Sequence, residues 1–365
     1  GSTRPIRGEA TGASGGLLRT WDSGSKIVVG GALNLSDGGT LRLLRSQSPA
    51  GGGVFENIVT LNGGLNITNQ TSGAYTPITL DFGTGNVQKG GQLVLNGDVT
   101  FTGNSTNFNT TTIDGPRGSG TQGVIALTGS SSGTRTFNVG NGAAAVDLAV
   151  TAPLADGAAV TSGLTKTGLG TLALTGDNSY TGSTTVSNGQ LMINGNSSTA
   201  TGNVSVAAGA TLGGSGTLGG ATTLNGILAP GNSIGTLTVS NDVTWNGAAA
   251  AGATTDWQFE LGLGNASDML DITGGGGDFL KGSGTIFRFD FLGGTDTGTY
   301  TLVDWTATTD FASSDFSYTN LGGGNSGSFS ITGSQLNFTV VPEPNAAILV
   351  GGFGVIALLR RRRWA

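Results

Sequence analysis

Short bursts of alternating apolar and polar residues recur along the chain, each bounded by Gly or Asn-Gly. The segment GQLVLNG at 91–97 sets the form. GTLALTG at 170–176 and GQLMING at 189–195 repeat it, and GTL at 216–218 and GTLTV at 235–239 are looser copies. Alternation over four or five residues between turn formers predicts a short strand with one buried face. The unit recurs from about residue 28 to 245, with 19 residues from Leu172 to Leu191, 21 from Leu191 to Leu212 and 19 from Leu218 to Leu237. A period of about 20 residues lies at the short end of the range for stacked repeats. One such unit cannot cover its own apolar face. Piled coils bury that face and pair each strand's N–H and C=O groups with the coils above and below. Gly and Asn suit the corners, where positive φ is needed, and outward Thr and Ser columns favour strand without adding charge. The pattern predicts an all-β parallel β-helix, a solenoid, over residues 28–250. The alternative is a sandwich of antiparallel hairpins, for which Asn62-Gly63 and Asn96-Gly97 are good turns.

The pattern changes near GAAAA at 247–251. Nine of the 15 Phe fall in residues 257–340, and in IFRFDF at 286–291 Phe287, Phe289 and Phe291 share one face against Arg288 and Asp290. WQFEL at 257–261 alternates likewise. Residues 251–340 are expected to form a β-rich C-terminal cap that closes the open end of the stack, where bare strand edges invite aggregation, or else a separate small β domain. Residues 1–27 are assigned to an N-terminal segment or cap.

Composition narrows the class. Gly makes up 69 of 365 residues, and at roughly 1 kcal/mol per Gly against Ala a mainly helical protein is excluded. Collagen is excluded because no three-residue Gly period exists and only 8 residues are Pro. With no His and no Cys, imidazole and thiolate chemistry are absent, so no metal site and no cofactor is expected. Net charge is −6, and −10 over residues 1–359 once the terminal run of four arginines is set aside. So acidic a body does not suit nucleic acid, which needs clustered cations.

Within the repeats the sequence becomes specific. GLTKTGLGTLALTGDNSYTGSTTVSNGQLMING at 163–195 resembles the autotransporter-associated β-strand repeat of bacterial surface passenger domains. The matching features are Lys166 and Gly168 leading into GTLAL at 170–174, then NSYTG at 178–182, then Gly189 and Leu191. The stretch from Gly209 through LAPGNS at 228–233 is similar to what often follows that repeat. The resemblance implies a right-handed parallel β-helix exported from a Gram-negative-type cell, and it brings no catalytic residues.

After VPEP at 341–344 comes an apolar run containing Ala346, Ile348, Leu349, Val350, Phe353, Val355, Ile356, Leu358 and Leu359, followed by Arg360, Arg361, Arg362 and Arg363. Fourteen residues of helix span about 21 Å, short of a hydrocarbon core of roughly 30 Å, so a short C-terminal hydrophobic helix would hold the membrane only transiently. Its arginines would stay on the cytoplasmic side, leaving residues 1–340 outside. Residues 341–365 resemble the PEP-CTERM sorting signal. The resemblance implies recognition of Pro342, Glu343 and Pro344 by an exosortase, an inner-membrane transpeptidase-like protease, with the arginines as the stop. Gly1 is not preceded by a visible signal peptide, and an exported chain should have one. The sequence is therefore expected to be truncated or processed there.

Two motifs are discounted. GSGTLG at 214–219 fits a dinucleotide-binding pattern but lacks its strand–helix setting. GGGGD at 274–278 matches part of a calcium β-roll repeat but has no tandem partner. Asp256, Glu260, Asp268 and Asp271 lie close in sequence and define the alternative to a structural role, a carbohydrate-active β-helix enzyme with paired carboxylates. The expected function is a non-catalytic, adhesive protein of the cell surface or extracellular matrix. Exopolysaccharide or a second copy of the chain is its expected partner, and a self-assembling sheath is a variant of that reading.

Overall fold

The computed structural model describes residues 3–6, 10–11, 17–20, 26–36, 39–43, 58–80, 91–115, 123–128, 133–249, 255–274, 276–293 and 296–343. Apart from two short 3-10 turns, Leu263–Asn265 and Ser313–Asp315, every regular element among them is a strand. The expected C-terminal helix, with Pro344 and Arg360 to Arg363, lies outside the described residues.

The chain visits three faces in turn, built from five sheets among the described residues. The second face is the longest, with eleven strands in sequence order from Ala10–Thr11 to Phe279–Lys281. Before each of these except Thr184–Val186, a strand of the first face is laid down, in a six-stranded sheet from Thr3–Ile6 to Leu154–Ala155 and later a seven-stranded one beginning at Asn196–Ser197. After each as far as Thr222–Leu224, a strand joins the third face, a nine-stranded sheet from Leu17–Thr20 to Ile227–Pro230. Further along lies a three-stranded sheet of Trp257–Leu261, Phe287–Gly293 and Phe316–Thr319. Neighbours in these ladders pair in parallel until the last hairpin, an order consistent with a parallel β-helix. Asn62-Gly63 and Asn96-Gly97 sit at corners between parallel strands, not in hairpins.

The interior follows from the period-two pattern. On the third face Leu148, Leu172, Leu191, Leu212 and Leu228 stand in register, with Val150, Leu174 and Ile193 beside them, all essentially inaccessible. Val59, Leu93 and Ile125 do the same on the first face, and Leu33, Leu65 and Val99 on the second. Like stacks on like because each coil repeats the geometry of the last.

The uniform spacing expected from the sequence holds only locally. Leu172, Leu191 and Leu212 are partners on successive rungs. The third interval is not a rung, since Leu218 pairs with Val239 and Leu237 with Leu270. Earlier rungs are longer, running from Lys26 to Ile58 and from Ile58 to Gln92. Later ones lengthen again, as from Val243 to Phe279. Most of the extra residues fall between strands in sequence, so the strand pattern survives while the interval drifts; one enters a ladder, where Thr111 and Ile113 pair with Tyr75 and Ile78.

Parallel winding continues past residue 250 to Thr319. The aromatic residues fill the interior of these last coils. Trp245, inward on the second face, stacks on Trp257 of the three-stranded sheet at 3.8 Å and meets Phe287 and Phe289 edge-on. The chain then reverses: Asn325–Thr332 and Gln335–Pro342 form an antiparallel hairpin, and the second of these strands pairs antiparallel with Gly298–Trp305. Phe338 lies 4.5 Å from Phe291 and 4.8 Å from Phe329, so the hairpin covers the last coil with aromatic surface while turning a parallel edge into an antiparallel one.

Candidate functional surface

The second face has the most strands, and its outer side is a candidate surface. Alternation that turns Leu and Val inward turns small polar residues outward. Thr136, Thr165, Thr185, Ser205, Thr223 and Thr244 stand in register on six consecutive strands. At about 4.8 Å per strand this hydroxyl column runs about 24 Å. A neighbouring column holds Asn34, Asn66, Thr100, Asn138 and Thr167, with the Asn66 amide donating to Asn34 at 2.7 Å. At the adjoining corner Asn246 donates to Asn225 at 2.6 Å. No position in either column is charged.

Behind this face sits Lys166, at an inward position between Phe137 and Val186 and fully buried. Its ammonium curls to the corner and donates to the backbone carbonyls of Thr167, Gly168 and Asn188 at 2.8, 2.8 and 3.1 Å. Burial pulls its pKa down to about 8, against the opposing pull of Asp147. Alternation alone marks it, because the parity that buries Leu164 also buries Lys166.

The carboxylates singled out in the sequence scatter. Asp256 forms an ion pair with Arg288 at 2.6 Å. Asp271 faces outward on the first face in register with Asp304, a partner that sequence spacing could not reveal. Burial and then the Asp304 charge raise the Asp271 pKa. Only Glu260 and Asp268 come together, at a break in the third face. The nine-stranded sheet ends at Ile227–Pro230 and the three-stranded sheet begins at Trp257–Leu261, with no ladder between them among the described residues. Along this seam runs a groove of about 230 Å³ lined by Gln190, Met192, Pro230, Asn232, Gln258, Glu260, Asp268 and Leu292, among others.

Asp268 secures the seam. Its two carboxylate oxygens accept the backbone N–H groups of Gly235 at 2.9 Å and Glu260 at 2.7 Å, and its own N–H donates to the Glu260 carbonyl at 2.9 Å. It supplies a strand edge with the partner a missing neighbour would have given. Burial lifts its pKa to about 6 despite those two donors. Elsewhere Asp278, in the glycine-rich loop, accepts from the Thr308 hydroxyl and backbone, which lowers its pKa. Among the described residues, no three acidic side chains gather closely enough to hold a metal ion.

Of the sorting residues, Pro342 ends the last strand and Glu343 follows it, both exposed along with Val341. Pro344, the apolar residues from Ala346 to Leu359 and the four arginines fall outside the described residues.

Residues 164–193 match the family model of the passenger-associated-transport-repeat, the segment in which Lys166, Gly168 and Gly189 build their shared corner. A repeat of that description points to an exported, surface-exposed, passenger-like protein. No curated protein matches the chain.

Proposed function

We propose that this chain is a non-catalytic, exported protein of the cell surface or extracellular matrix, built as a right-handed solenoid that adheres to polysaccharide or to its own copies through the second face. The observation that carries the reading is the uncharged hydroxyl column from Thr136 to Thr244. A regularly spaced array of neutral donors and acceptors suits an extended neutral polymer, because many weak contacts add along its length. The right hand follows from the chirality of parallel crossovers. Sorting runs through an exosortase that reads Pro342, Glu343 and Pro344 while the apolar segment sits transiently in the inner membrane. The exposure of Glu343 just beyond the last strand supports access by such a protease. No cofactor and no nucleic acid takes part.

Co-sedimentation with insoluble neutral polysaccharide tests the adhesive role. Wild type is expected in the pellet, and Thr185→Lys with Thr223→Lys is expected to stay in the supernatant. Equal pelleting of both proteins overturns the assignment to this face. Intact-mass analysis of protein recovered from outside the native cells tests sorting: an end near Val341 is expected, and a retained Trp364 and Ala365 refutes it.

One observation favours a second reading, a carbohydrate-active enzyme: Asp268, with its pKa near 6, beside Glu260 in the seam groove. Release of reducing ends that disappears in Glu260→Gln would establish it in place of the adhesive role.

A further inference from the structure

We propose that the seam groove on the third face is a discrete binding site for one sugar unit of a neutral glycan. The inference rests on the glycan-binding reading above but assigns a different place and a different kind of contact. Where the two sheets meet, their outward side chains enclose a cavity of about 230 Å³, open to solvent, with the small Ala229 between Met192 and Gln258 in its lining.

Its lining sets the ligand class. Gln190 and Gln258 each present a carbonyl oxygen and an NH2, and Asn232, whose NH2 donates to Asn194 and Ser215 at 3.1 and 3.3 Å, presents its carbonyl oxygen; together they can accept from and donate to neighbouring hydroxyls of one ring. Glu260 adds an acceptor carboxylate, and a hydroxyl donating to it makes a charge-assisted bond. Met192 and Leu292 supply apolar surface for the C–H face of a pyranose, and Leu292 is 52% exposed on its strand. Charge excludes the acidic alternative. Glu260 and Asp268 both line the groove, no Lys or Arg does among the described residues, and the nearby Arg288 is paired with Asp256. Uronates and phosphorylated sugars would meet like charge with no counter-ion. Asp268 has both oxygens occupied by backbone amides, so it shapes the site and repels anions, while ligand contact falls to Glu260 and the three amides.

The test is saturation-transfer NMR on the full chain with soluble neutral gluco-oligosaccharides, and with oligogalacturonides as the acidic probe. Neutral oligomers are expected to bind, with acidic ones at least about tenfold weaker. Glu260→Ala and Gln258→Ala should each weaken the neutral ligand by about tenfold, the loss of one good hydrogen bond. Asp268 is left intact because it holds the seam together. Thr185→Lys on the second face is expected to weaken soluble-ligand binding less than Glu260→Ala, which separates this site from the adhesive face. Three results overturn the proposal: no neutral binding up to about 20 mM ligand, preference for the acidic probe, or equal loss in Thr185→Lys and Glu260→Ala. If the groove variants lose binding while Thr185→Lys with Thr223→Lys still pellets with polysaccharide, the groove stands and the face assignment falls.

Discussion

Replacing Gly202 by Ala should open the middle of the stack, whereas the same change at Gly30 should not. Gly182, Gly202 and Gly220 occupy equivalent corners of successive coils, none with positive φ, so conformational freedom is not the reason for glycine there. The reason is space. A Cβ on Gly202 would come closer than 3.0 Å to the Gly182 carbonyl, and one on Gly220 would strike Gly202 in the same way. The backbone is the obstacle, so the coils must part by roughly 1 Å, a strain of about 1–3 kcal/mol. Adjacent inter-coil hydrogen bonds stretch with it, Thr184 N–H to Asn203 O at 2.9 Å and Val204 N–H to Ala221 O at 2.8 Å, each worth about 1 kcal/mol. The expected cost is about 3 kcal/mol, or about two powers of ten in the local opening equilibrium. Because each coil touches only its neighbours, hydrogen exchange resolved by residue is the appropriate assay. Protection of Thr184, Val204 and Thr222 should fall about a hundredfold in Gly202→Ala. Gly30 also lacks positive φ but has no atom within 4 Å of a built Cβ, so Gly30→Ala should stabilise its corner by about 0.4–1 kcal/mol through the unfolded state. Protection within threefold of wild type in Gly202→Ala, or an equal loss in Gly30→Ala, refutes the argument from close approach.

Other outcomes follow from buried polar groups. Lys166 has a pKa of about 8 in the fold and 10.5 as a free side chain; between those values the unfolded chain holds the extra proton, so stability should rise with pH across that window and be lowest below it. Urea midpoints at pH 8 and 9.5 check this, with a gain of about 1.5 kcal/mol between them that vanishes in Lys166→Met. Tyr180, which burial raises to about 12, acts in the opposite direction only above pH 10. Asn178, buried, accepts from the Leu154 N–H and donates to the Ser197 hydroxyl, both at 2.9 Å. Asn178→Ala should cost about 2–4 kcal/mol in denaturant unfolding because it leaves both partners unsatisfied, and Ser197→Ala less, since the Asn178 carbonyl keeps its bond.

The sequence carried the strands more clearly than the site. Alternation at 170–174 and 189–193 located two rungs to the residue, since each inward Leu needs a Leu above it. The same reasoning failed for Leu218 and Leu237, which lie on equivalent-looking strands but are not partners. Local pattern encodes which side of a strand is buried, but register depends on how many residues each corner absorbs. The carboxylates show the same limit. Asp268 and Asp271 are close in sequence yet serve a corner and a face, while Gln190 and Glu260, separated by several coils of chain, share one groove.

By itself the sequence determined that the repeats are β-strands, that small neutral residues point outward, and that glycine marks the corners, because each of these is decided within a strand or a turn. Only the tertiary structure decided where the coils lengthen, where the third face breaks into two sheets, and how the terminal hairpin reverses onto the last coil. Those outcomes depend on hydrogen bonds between residues tens of positions apart, and no local pattern reports which distant edge a strand will meet.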